Sequence, residues 1–82
     1  MSLQTLREKL DGVDAELIAL LARRADVVAE IWAWKQAHGV TRIDPAREVL
    51  VRQRLLAQAE ALGLSREAIS AVLDQLIGRP LR

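Results

Sequence analysis

The 82-residue chain has no cysteine, phenylalanine or tyrosine, a single histidine and only two prolines. Without cysteine there can be no disulfide, no thiolate metal site and no thiol nucleophile, and the composition suits a reducing compartment. His38 by itself cannot build a metal cluster, so no metal site is expected. Trp32 and Trp34 are the only aromatic residues besides His38, which leaves Leu, Ile, Val and Ala to form the core. No apolar run approaches the ~20 residues needed to cross a bilayer. The opening MSLQTLREKL is charged and lacks the apolar stretch of a secretory leader. Net charge is +1, with Lys and Arg interleaved among Asp and Glu, so no basic nucleic-acid footprint is present. The expectation is one small cytoplasmic domain over residues 1–82, with neither a membrane nor a nucleic acid as partner.

What the chain does contain is an apolar pattern with two interruptions. It is 51% hydrophobic and 28% charged, a balance typical of folded proteins. HGVTRIDP (38–45) can stop one helix at Gly39 and start another at Asp44-Pro45. LGLS (62–65) offers Gly63 as a C′ residue and Ser65 as an N-cap, with Leu64 and Ile69 at the positions of a hydrophobic staple. Three helices are expected, roughly 3–38, 45–62 and 66–78. No segment alternates with period two, so the fold class is all-α.

In the first helix, Leu3, Leu6, Leu10, Val13, Leu17, Leu20, Arg24, Val27, Ile31 and Trp34 recur at alternating three- and four-residue steps without a slip. This is a heptad-like seam, and Arg24 is its one charged member. At ~1.5 Å per residue the helix is about 50 Å long. The other two are far shorter and have apolar faces of their own to bury: Val51, Leu55 and Leu62 in one, Ile69, Val72, Leu73 and Leu76 in the other. A lone protomer would leave much of the seam in water, so the expectation is an intertwined homodimer of three-helix protomers.

The charged residues near this seam admit two readings. Arg24 and Lys35 are eleven residues apart, which places them on one face about 16 Å apart along the axis. Two cations flanking Val28 and Ile31 can hold a small anion. Equally, Arg24 can pair with a carboxylate of another helix while Lys35 snorkels to water. Asp44, Pro45, Ala46, Arg47 and Glu48 form DPARE, in which Asp44 and Glu48 suit a helix start and Arg47 opposes the helix dipole. Arg7 lies about 42 Å from Lys35 along the helix and can share a pocket with it only across a dimer. Its local alternative is a pair with Asp11 at i,i+4. His38 reads as a solvated cap, and Trp32, off the seam, as a partly exposed contact.

Taken together, LREKLDGVDAELIALLARR, then Lys35, IDPARE and GLS resemble the all-α chorismate mutase family from Leu6 to about Ile77. The joint order and spacing carry the resemblance. It implies an entwined dimer that converts a dianion, chorismate, to prephenate by a pericyclic rearrangement needing no nucleophile, metal or cofactor. By position it implies Lys35, Arg24 and Glu48 as catalytic residues, and Arg7 of the other protomer, Arg47 and Asp44 as substrate-binding ones. Lys35 would reach the ether oxygen, Arg24 and Arg7 the carboxylates, and Asp44 and Glu48 the ring hydroxyl.

The sequence departs from the family at its end, GRPLR. Pro80 stands where efficient members carry a Ser, and the position of their polar residue opposite the lysine falls beyond Arg82. The expectation is low activity alone, with the first synthase of the shikimate pathway as activating partner. Related substrates also fit the residue set, as in isochorismate-pyruvate lyases and aminodeoxychorismate mutases. So does a non-catalytic regulatory module.

Overall fold

The structure, a computed structural model, describes residues 2–40 and 44–82. The middle of the interruption expected at 38–45 lies outside them. Three helices follow one another, and no strand occurs among the described residues: α1 (Leu3–Ala37), α2 (Pro45–Ala61) and α3 (Arg66–Leu76). The all-α class and all three expected helices are thus observed. No helix among the described residues is long and apolar enough to cross a membrane. The chain divides into two compact units, residues 1–39 with 81–82, and residues 40–80.

The first unit is α1 with the last two residues. Ser2 caps the helix by accepting a hydrogen bond from the Thr5 N–H at 3.1 Å, which satisfies one of the four donors that a helix start leaves unpaired. His38 caps the far end, its N–H shared between the Trp34 and Lys35 carbonyls, and Gly39 follows at φ +67°. A left-handed residue there is what stops the helix. No residue of α1 is buried, and the nine apolar seam members are 46–63% exposed. Half-burial falls instead on Arg24 within the seam and on Leu21, Ala25, Val28 and Lys35 beside it.

The second unit is the antiparallel pair α2–α3. Its direction follows from its side-chain contacts: Glu60 meets Arg66 beside the connection, and Arg52 meets Asp74 farther from it. Asp44 caps α2 and Pro45 takes its first position, where a missing N–H costs nothing. At the other end the Gly63 N–H donates to the Glu60 carbonyl and the Leu64 N–H to the Ala59 carbonyl, with Gly63 at φ +77°. This is a Schellman closure, and Ser65 then caps α3 through the Ala68 N–H. Leu56, Ala59 and Leu73 form the small buried core, flanked by half-buried Val51, Leu55, Ile69 and Leu76.

Two expectations about this pair need correction. Leu62 is 79% exposed because it is the cap residue, past the last turn that faces α3. Val72 is also exposed, the contact face of α3 being centred on Leu73. In addition α3 ends at Leu76, ahead of the expected 78, because the backbone at Ile77 is already extended and Gly78 turns at φ +71°.

Candidate active site

The residues singled out from the sequence fall into two sets. Arg7, Arg24 and Lys35 belong to α1, and Asp44, Arg47 and Glu48 to the start of α2. On α1 the helical register keeps Arg24 and Lys35 on one face about 16 Å apart. Both are half-buried, whereas Arg7 is exposed, about 42 Å from Lys35 on the same straight helix. Among the described residues Arg7 forms no ion pair, so the local Asp11 alternative is not taken up.

Lys35 has a neighbour that sequence reading missed. Its Nζ stands 5.2 Å from the centroid of the Trp32 ring, within the range of a cation–π contact. The signal was the three-residue spacing W-x-x-K, which brings two side chains together on a helix. Trp34 is engaged elsewhere. It stacks on His38 with ring centroids 4.1 Å apart and an interplanar angle of 19°, and its carbonyl lies 2.8 Å from His38 Nδ1. His38 is thus the helix cap that was expected, held more firmly than a solvated one.

At the start of α2, Asp44 Oδ1 accepts from the Arg47 N–H at 3.0 Å, and the Glu48 N–H donates to the Asp44 carbonyl at 3.1 Å. The cap leaves the Arg47 guanidinium exposed and the Glu48 side chain half-buried. Glu48 and Arg52, with Asp74 and Arg79, help to line an open groove of about 600 Å³. Gly78 closes on Glu48, a contact not foreseen from sequence.

Arg52 was missed entirely. Its Nη2 donates to the Ser70 carbonyl at 3.1 Å, to Ser70 Oγ at 2.7 Å and to Asp74 Oδ1 at 2.6 Å. This clamp ties α2 to α3 behind the DPARE turn. Only the pairing of two helices eighteen or more residues apart reveals it. Arg82, grouped with α1, pairs with Asp26.

In chemical terms the sites offer fixed cations and carboxylates. Arginine forks match carboxylates bidentately and a lysine is a compact point charge, so α1 suits a ligand with several negative oxygens.

Comparison with known proteins bears on what that ligand is. The chain is 36% identical over 76 residues to the T-protein of Haemophilus influenzae, a match covering 93% of the chain and 20% of that protein. It is 35% identical over 75 residues to the 4-amino-4-deoxychorismate mutase of Streptomyces venezuelae, covering 92% of the chain and 73% of that protein. With the intracellular chorismate mutase of Mycobacterium tuberculosis it shares 44% identity over 52 residues, 63% of the chain and 50% of that protein. The chain therefore spans about a fifth of the length of the T-proteins it matches. No solved structure matches it significantly. The family model for chorismate mutase type II covers residues 6–79, a span containing every candidate residue on α1 and α2, and the chain belongs to that family.

Proposed function

We propose that the chain is a chorismate mutase that isomerises chorismate to prephenate. The observation that carries the reading is the family match over residues 6–79, a span that contains Arg24, Lys35 and the DPARE turn. In the reaction an ether C–O bond breaks while a C–C bond forms, with no proton, electron or group exchanged. Its demands are therefore positional and electrostatic. The flexible dianion must be held in its compact conformer, and positive charge must stand where the ether oxygen becomes electron-rich.

In this reading Arg24 and the Arg7 of a second copy grip the two carboxylates, with Arg47 assisting. Lys35 stands at the ether oxygen and does more for the transition state than for bound substrate, which is the condition for acceleration. Asp44 and Glu48 take the ring hydroxyl. The reading requires a homodimer in which each chain acts as one domain. The exposed seam of α1 supports this, because nine apolar side chains left at 46–63% exposure constitute a surface that association would bury.

Two extensions belong to the same proposal. The similarity to a 4-amino-4-deoxychorismate mutase favours that substrate as the second to test, an amino group also suiting Asp44 and Glu48 although these give a slight preference to a hydroxyl. The early end of α3 and Pro80, where efficient members carry a Ser, support activation by the synthase that opens the shikimate pathway.

The test is a chorismate-to-prephenate assay on the purified chain, with and without the synthase, and on Lys35→Ala. Turnover that Lys35→Ala abolishes while the oligomer persists is expected. No rearrangement under either condition overturns the reading in favour of a binding module.

A further inference from the structure

A cation that serves a ligand must be held in place and yet keep its charge. Lys35 has three side chains beside it along the helix: Ile31 and Trp32 one turn before, and the cap residue His38 after it. None bears a carboxylate. Among the described residues no ion pair involves Lys35, and its Nζ lies 5.2 Å from the Trp32 ring centroid. His38, the other ring within reach, is committed to Trp34 by stacking and by the bond from Nδ1 to the Trp34 carbonyl.

The difference between a carboxylate and an indole at this position is chemical. A carboxylate would hold the ammonium by neutralising it, and an incoming anion would have to displace the partner. The face of an indole attracts the ammonium through its quadrupole and leaves the positive charge in place. It also limits the rotamers of a four-carbon stem that otherwise loses much freedom when a ligand orders it. Trp32 is 49% exposed and lies off the apolar seam, so packing within the protomer does not account for a residue of this size there.

We propose that Trp32 is a positioning residue for Lys35: its indole face holds the ammonium, without a carboxylate partner, in the place where a dianionic ligand meets it. The inference deepens the proposed function and rests on Lys35 contacting the substrate.

The test compares Trp32→Leu with Trp32→Phe, both at a half-exposed site where helicity can be checked by circular dichroism. Loss of a surface cation–π contact corresponds to about a two- to fivefold effect. Trp32→Leu should lower kcat by that factor with KM little changed, and Trp32→Phe should restore most of it. Independently of activity, the Lys35 Hε protons should show an upfield ring-current shift by NMR. The shift should persist in Trp32→Phe and vanish in Trp32→Leu. A phenylalanine variant as impaired as the leucine variant, or Hε protons without an upfield shift in the native chain, overturns the proposal. A ring-current shift in a chain that rearranges no chorismate refutes the reaction while leaving the Trp32–Lys35 contact established.

Discussion

Gly78 lies against the carboxylate of Glu48: a β-carbon on this glycine would stand 3.0 Å from Glu48 Oε1 and 3.6 Å from its carboxyl carbon. The turn that ends α3 therefore borders a residue at the start of α2 that the proposed reaction uses. Gly63 provides a matched control. It too has positive φ, but a β-carbon there meets nothing within 4 Å among the described residues. Alanine at either position should cost about 1 kcal/mol from the left-handed backbone. Only Gly78→Ala should also push the flexible Glu48 carboxylate aside. Denaturant unfolding should show similar losses for the two variants, and the chorismate assay a several-fold fall in kcat/KM for Gly78→Ala alone.

The Arg52 clamp should dominate the polar contribution to the α2–α3 pair. Its bonds to Ser70 are partly buried, so Arg52→Met should destabilise the chain by about 1–2 kcal/mol in urea titrations. The Arg66–Glu60 pair is exposed on both sides, and Arg66→Met should cost no more than about 0.5 kcal/mol. Equal effects would show that the hairpin is held by Leu56, Ala59 and Leu73 alone.

Asp44 has two separable tasks, capping α2 and meeting substrate. Removing the cap in Asp44→Ala should cost about 1 kcal/mol. Asp44→Ser keeps an acceptor for the Arg47 N–H and should retain nearly native stability. If Asp44 also contacts the ring hydroxyl, the serine variant should raise KM despite its intact fold. Native kinetics in Asp44→Ser would confine the residue to the cap.

A charge in the seam should dissociate the proposed dimer. Leu17 is 52% exposed at the middle of the α1 stripe. Leu17→Glu should shift the species seen by sedimentation from dimer to monomer. It should also abolish the concentration dependence of Tm expected for the native chain. A monomeric native chain would refute the dimer directly.

Much of this fold was legible because its signals are local. Capping by Asp44 and Ser65 and the left-handed turns at Gly39 and Gly63 involve residues within one or two turns of each other. The same holds for the register that aligns Arg24 with Lys35. Even the Trp32–Lys35 contact was implicit in a three-residue spacing, although side-chain direction had to be seen before it carried meaning.

The remainder depended on how separate segments meet. Which face of α2 turns toward α3 decided that Leu56 and Ala59 are buried while Val49 and Leu50 are left to water, and periodicity over a short helix does not resolve a rotation of one residue. Arg52 reads as a surface cation in its own helix and becomes a clamp only opposite Ser70 and Asp74. Gly78 reads as a helix stop and becomes a wall for Glu48 only after the chain has turned back. By itself the sequence determined the three helices, their starts and the seam, because hydrogen bonding and periodicity along one segment are complete within it. Tertiary structure alone decided the clamp, the core of the pair and the surroundings of Glu48, because each is a contact between residues whose separation in the chain says nothing about their distance in space.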